Sequence, residues 1–349
     1  MNAVAALGAR PLISARADIR GAAGGGSVVE TDDHVLEFDG AAGRVILQLA
    51  DRLDGGDTVQ DLAAAATCDP DVVAEVIKTL QAHGAVFDLA AVEDRSGGEL
   101  RAALRQECAF WAKEIQAHSF WRTLLSGAAN PDTVFGWGLE QFHYVEAANE
   151  YMAAAAANCR LDHGVRMQIG KRFAEESEHG DIFLGGLQRC GFEHETVVNA
   201  PPLPATGALK DYLFELACSD TIATEATFNL MQSSGEPLTK AGLARFYGEL
   251  TRLYPFAGPM FEAFHDHAVI DVEEGHERTI FDELCDAPGL VTPAAGRRAI
   301  DAVRGLAEHF ILFFDNIEAY YGARDAIVPR RAVDIDAFAR CSTRCRKRL

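Results

Sequence analysis

Between Leu100 and Gly322 the chain repeats one pattern: a long run with apolar residues at helical spacing, then a short breaker. The runs cover 100–127, 131–159, 163–191, 208–232, 238–256, 259–286 and 294–322, and the breakers include Asn130-Pro131, Pro201-Pro202-Leu203-Pro204 and Pro288-Gly289. Each run is too long for a strand, and its apolar residues fall on one helical face, so each predicts a helix. A lone amphipathic helix cannot bury its apolar stripe. Seven in succession predict a mainly α protein built around a seven-helix bundle of about 230 residues, spanning 100–325. No internal repeat divides it.

The preceding residues are built differently. Val28-Val29-Glu30 and Val35 to Gly40 predict two short strands around a turn at Asp32-Asp33. Val45, Ile46, Leu49 and Leu53 then share a helical face, and Asp54-Gly55-Gly56-Asp57 stops that helix. Thr58 is placed to cap a second helix, Val59 to Ala66, and Asp69 or Asp71 to cap a third. Ala85 to Asp88 predicts a closing strand. Two strands, three helices and a strand over 28–92 make a small winged-helix α+β domain. Residues 1–27, ending in Gly24-Gly25-Gly26-Ser27, read as a flexible leader; 93–99 suit a linker, and 326–349 a C-terminal tail. The stretches EFDGAAGRVILQLADRLDGGDTVQDLAAA and DPDVVAEVIKTLQAHGAVFD resemble the PqqD-like fold, the RiPP recognition element. That resemblance implies a domain that grips a leader peptide by adding a strand to its sheet. Winged helices more often read DNA, but the third helix carries one Lys against Asp69, Asp71 and Glu75. A vestigial docking domain is the competing reading.

Composition narrows the partners. A formal net charge of -20 argues against nucleic acid, because phosphate affinity comes from Lys and Arg. With 48% hydrophobic residues the chain can build a sizeable core. Its eight cysteines are scattered without a CxxC pair, which fits a reducing cytoplasm better than a disulfide scaffold. Cys341 and Cys345 lie in the basic tail from Arg340 to Leu349. Arg10 and Arg16 interrupt the only apolar stretch near the start, so no secretory signal is expected. No apolar run approaches the roughly 18 residues of a membrane span.

Three helical segments carry carboxylates and imidazoles at helical spacing. Glu140 and His143 are an i, i+3 pair in Phe135 to Ala154. Glu176, within Glu175-Glu176-Ser177-Glu178-His179, falls on the stripe marked by Phe173, Gly180, Phe183 and Leu187. The densest cluster is His265-Asp266-His267-Ala268-Val269-Ile270-Asp271-Val272-Glu273-Glu274-Gly275-His276. Iron that reacts with O2 takes hard carboxylates and neutral imidazoles and needs open positions. Diiron centres in helical bundles are built from inward Glu and Glu-x-x-His elements. Taken singly, each group is more often a solvated or hydrogen-bonded side chain. His34, His83, His118, His163, His194 and His309 show no such pattern and read as structural or surface. Trp137, Phe142, Phe228 and Phe314 are candidate pocket walls, although large aromatics in a bundle are usually core.

The segment EIQAHSFWRTLLSGAANPDTVFGWGLEQFHYVEAANEYMAAAAANC resembles the opening of TenA-like and haem-oxygenase-like bundles. EESEHGDIFLGGLQRCGF is similar to their second metal helix, and FHDHAVIDVEEGH to the third, whose usual form is His-x-x-x-Asp-x-x-His. Together they resemble the haem-oxygenase-like diiron oxidase/oxygenase superfamily over most of 105–322. The resemblance implies two Fe(II) per chain, or a Mn/Fe pair, with O2 as co-substrate. Glu140 and His143 would hold one iron, Glu176 would bridge, and the third helix would complete the second. The third motif departs from the family: counting from His267 gives Asp271 and then Glu274 where His is expected. Anchoring on Glu273 and His276 leaves Val269 in the first His position. A straight helix puts Asp271 and His276 about 140° apart at ~100° per residue. The preferred register is His267 and Asp271 with His276, keeping Glu273 and Glu274 as substitutes.

By that resemblance the chain is a non-haem diiron oxidase or oxygenase. It would N-oxygenate, cleave or desaturate an amino-acid-like substrate or an aliphatic amine or acid through a peroxo intermediate. An external electron donor and a homodimer are compatible with it. A second reading makes the substrate a ribosomally made precursor peptide recruited by residues 28–92. A third is a metal-free peptide-binding or carrier protein, since TenA-like thiaminases and the PqqC oxidase share the fold without this ligand set.

Overall fold

The computed structural model describes residues 7–31, 34–89, 97–232, 239–273, 279–287 and 289–322. Its contacts group the chain into two compact units, Met1–Ile115 with Ile222–Glu236 and Glu277–Ala307, and Gln116–Thr221 with Pro237–His276 and Glu308–Leu349.

The first unit opens with strands β1 (Pro11–Ile13), β2 (Asp18–Gly21), β3 (Ser27–Glu30) and β4 (Val35–Phe38). Helices α1 (Gly40–Leu49), α2 (Val59–Ala66) and α3 (Pro70–Ala82), strand β5 (Val86–Asp88) and helix α4 (Gly97–Gln116) follow. β2, β3 and β4 form an antiparallel sheet in which Val29 lies opposite Ile19 and Leu36. β1 pairs antiparallel with β5, Leu12 opposite Phe87. The helices start where local chemistry dictates. The Thr58 hydroxyl accepts from the Asp61 amide at 3.2 Å and the Asp61 carboxylate accepts from the Thr58 amide at 3.1 Å, a reciprocal cap on α2. Asp69 caps α3 ahead of Pro70, whose missing N–H costs nothing at a first turn. Val29, Ile46, Leu49, Leu62, Val73, Val76, Ile77 and Leu80 form one buried cluster under the three-stranded sheet.

The expected order of strands, helices and closing strand over 28–88 is present. Residues 11–13 and 18–21, expected in a leader, instead form β1 and β2. The reason is packing: Leu12 is fully buried, and Ile13 and Ile19 pack on the core cluster.

The other elements are α5 (Ser119–Leu125), α6 (Pro131–Glu146), α7 (Ala148–Asn158), α8 (His163–Glu176), α9 (His179–Arg189), α10 (His194–Val198), α11 (Pro204–Ser219), α12 (Thr221–Met231), α13 (Lys240–Leu253), α14 (Gly258–Glu273), α15 (Ile280–Asp286) and α16 (Pro293–Ile317). A π-helical turn, Glu318–Gly322, follows. The described residues therefore hold more helices than the seven expected, because five of the seven predicted runs are each split in two. The splits have local causes where side chains compete with the backbone. His118, for example, accepts the Phe120 amide at 3.0 Å on Nδ1 and starts a new helix at Ser119. Among the described residues no helix is long and apolar enough to cross a membrane.

In the second unit α9 packs on both α6 and α14. Gly186 makes one of these approaches possible: a Cβ there would come 2.6 Å from the Ala263 Cβ. Trp137, Phe142 and Phe314, the candidate pocket walls, are buried core, as is Phe228 in the first unit. Trp137 meets Phe264 edge-on at 4.8 Å, and Phe314 stacks on Phe120 at 4.9 Å.

Glu107 in α4 is fully buried, and its Oε1 accepts from Trp111 Nε1 at 2.8 Å and from Arg304 at 3.2 Å. Burial pushes the Glu107 carboxyl up, against the opposing pull of the Arg304 charge and the Trp111 bond. Arg304→Ala strands this carboxylate and is expected to cost about 3–5 kcal/mol in urea denaturation. A carboxyl with a raised folded pKa binds more protons folded than unfolded between its ordinary and raised values. Stability therefore rises as pH falls through that window. The Arg304→Ala deficit should shrink on acidification, and adding Glu107→Gln should remove that pH dependence.

Candidate metal centre

The site begins at a helix break. Asp162 caps α8 by accepting the Val165 amide at 3.0 Å, and the helix runs to Glu176. There the Ser177 hydroxyl donates to the Ala174 carbonyl at 3.0 Å, and Ser177 and Glu178 form a two-residue turn. α9 restarts at His179, with His179, Gly180, Phe183 and Leu187 on its buried face. The turn leaves Glu176 Oε2 only 2.6 Å from His179 Nδ1.

α14 supplies the facing group. The His267 ring stands nearly perpendicular to that of His179, 79° between planes and 4.7 Å between centroids. Phe183 packs against the same ring at 4.9 Å. One ligand-type atom from each of Glu176, His179 and His267 lies within 4.8 Å of the others. On the next turn of α14, Asp271 Oδ2 is 3.2 Å from His267 Nδ1. An imidazole held through one nitrogen by a carboxylate presents the other in a fixed direction, the usual support for a metal-binding histidine.

Two tyrosines feel these carboxylates. Burial, and then the charges of Glu176 and Asp271, push the Tyr144 phenol up. Burial and Asp271 do the same to Tyr247. Both phenols therefore keep their protons at neutral pH.

The expected ligands separate into three groups. Glu176, His267 and Asp271 come together. Glu140 lies elsewhere in its contacts: it is fully buried, Oε1 accepts from the Tyr321 hydroxyl at 2.9 Å, and Oε2 accepts from the Leu203 amide at 2.9 Å. His143, also buried, stands beside Phe142, and neither it nor Glu140 belongs to the three-residue cluster. Glu273 is exposed and ion-paired with Lys240. Glu274 and His276 lie outside the described residues. His179 was not among the expected ligands. Its signal was present, because Glu176 and His179 repeat the i, i+3 spacing of Glu140 and His143.

No protein-family model and no curated protein sequence matches the chain. Among solved structures, a domain of unknown function with a heme oxygenase-like fold from Shewanella denitrificans OS217 is similar at a TM-score of 0.51 and 16% identity, over 66% of this chain and 97% of that one. A TenA homologue from Pyrococcus furiosus aligns at a TM-score of 0.44 and 13% identity, over 62% of this chain and 99% of that one. The first likeness is one of fold: the helical part of the chain resembles a haem-oxygenase-like bundle.

The geometry separates the acidic residues of α14 in a binding titration. Asp271→Asn should weaken divalent-metal binding roughly 10–100-fold, as loss of an outer carboxylate does elsewhere. Glu273→Ala should leave the affinity within about twofold of the parent, since exposed ion pairs contribute little. Isothermal titration with Co(II) or Fe(II) measures both.

Proposed function

We propose that the chain is a non-haem iron enzyme that performs O2-dependent oxidation, with the ion held by Glu176, His179 and His267. The observation that carries this reading is the convergence of two imidazoles and one carboxylate within 4.8 Å. The donors fit the ion. Hard oxygen and borderline nitrogen ligands without thiolate, leaving positions open, are the set used by Fe(II) sites that bind O2. When bound, iron would supply O2 activation. Asp271 orients His267, and Phe183 closes one side of that ring to water. The phenols of Tyr144 and Tyr247 stay neutral near the carboxylates and add no further negative charge to the site. The substrate class, an amino-acid-like molecule or an aliphatic amine or acid, follows the family resemblance of the three helical motifs. So does the choice among N-oxygenation, cleavage and desaturation.

A zinc hydrolase can use the same donors, so the test must read O2. Full-length protein loaded anaerobically with Fe(II) should change its near-ultraviolet and visible absorption within seconds of O2 exposure, faster than free Fe(II). Glu176→Ala and His179→Ala should oxidise iron no faster than buffer while keeping the parent's far-ultraviolet circular dichroism. Indistinguishable parent and buffer traces would contradict the reading.

A second reading, recruitment of a precursor peptide by the small sheet, draws support from one feature. β4 stands at the edge of its sheet with Val35 61% exposed, and edge strands offer backbone groups to an incoming strand. Val76 and Leu80, however, are buried in the core and do not form side-chain pockets for such a peptide. If the reading holds, Val35→Lys should weaken binding of a labelled peptide from a neighbouring gene at least tenfold in fluorescence anisotropy. Equal affinity for parent and variant would contradict it.

A further inference from the structure

We infer that the chain holds a single metal ion, at Glu176, His179 and His267, and that Glu140 is the carboxylate that fastens the end of the second unit rather than a metal ligand. This rests on the metal reading above but reverses the two-ion centre that the family resemblance implies.

Glu140 is placed for a different task. It is fully buried, and each of its oxygens already accepts a hydrogen bond, one from Tyr321 and one from the Leu203 amide. The α6 face that carries it is shaped for Tyr321 along its length. Asn130 Nδ2 donates to the Tyr321 carbonyl at 3.3 Å. Gly136 lies one turn before Glu140, and a Cβ there would clash with the Tyr321 ring. Backbone anchor, ring seat and hydroxyl acceptor therefore follow one another as Asn130, Gly136 and Glu140. The π-helical turn Glu318–Gly322 presents Tyr321 to all three. It is tied a second time through Glu318, which accepts from Ser119 and Thr123. Leu203 precedes Pro204 at the start of α11, so the other Glu140 oxygen takes up an amide that this helix cannot bond itself.

The remaining donors suit one ion. A second iron at α6 would need Glu140, His143 and Glu176 to converge, and among the described residues they form no such group. Glu176 instead meets His179 and His267. Asp271, a ligand in the family motif, is aimed at His267 Nδ1 and acts through that ring as a positioning residue.

The test counts ions and separates stability from binding. Full-length protein is stripped with chelator, titrated anaerobically with Fe(II) alone, desalted and analysed for metal. The expected parent value is close to one iron per chain. Glu140→Gln and Tyr321→Phe should each still hold one iron, while the metal-free protein melts roughly 3–10 °C lower, as expected for loss of a buried hydrogen bond to a charged group. If Glu140→Gln fails to fold, Tyr321→Phe probes the same bond with the ring kept. His179→Ala should hold none while keeping the parent's far-ultraviolet circular dichroism. Two irons in the parent would overturn the inference and leave the iron reading standing. So would a lost iron in Glu140→Gln at an unchanged melting temperature. One iron without an O2 response supports the inference and removes the oxidase reading. No iron at all overturns both.

Discussion

The contact between Glu176 and His179 across the break between α8 and α9 is what the candidate site depends on. In an unbroken helix the two residues would share a face, each held by its own turn. The break frees His179 to start a new helix whose buried face packs on α6 and α14. That packing brings His267 opposite, and Gly186 lets α9 and α14 come close enough for the two rings to touch. The site's donors sit on helices rather than loops, two at the α8–α9 break and one in the body of α14. Its donors are therefore held by the bundle's own packing, as precise metal sites require.

Three glutamates, Glu107 and Glu140 fully buried and Glu176 half-buried, show how the protein sorts its charges. An isolated carboxylate away from water is too costly to keep, so each needs compensation. Glu107 is matched by Arg304 and Trp111, which both donate to its Oε1. Glu140 is matched by a hydroxyl and a backbone amide, which fix two chain segments to α6. Glu176 is matched by imidazoles, groups that can turn from hydrogen bonding to coordination when a cation arrives. Of the three, only the last environment can be shared with a metal ion.

Much of the small domain was legible in the sequence because its signals are local. Thr58 caps its helix as read, Asp69 rather than Asp71 caps the next, and the short runs at 28–30 and 35–40 hold strands β3 and β4. β1 and β2 were hidden: three and four residues carry too little periodicity, and the partner of β1, strand β5, lies far along the chain. The bundle's helical runs were legible, but most of their breaks were not, since no proline or glycine marks Ala147, Ser177 or Asp220. Those breaks depend on side-chain capping and tertiary packing. At the site, the i, i+3 rule pointed equally to Glu140-x-x-His143 and Glu176-x-x-His179. Only the three-dimensional partners distinguish them, and Tyr321 stands 181 residues from the carboxylate it bonds. On α14, Glu273 stood in the sequence as a substitute ligand, and the structure pairs it with Lys240 instead.

The most direct measurement is iron K-edge X-ray absorption on the Fe(II)-loaded, full-length protein. A centre built at the α8–α9 break predicts outer-shell scattering from two imidazole rings per iron, and no metal–metal shell at the roughly 3.5–4 Å of two-metal sites. A spectrum without histidine scattering, or one with a metal–metal shell, would contradict the account.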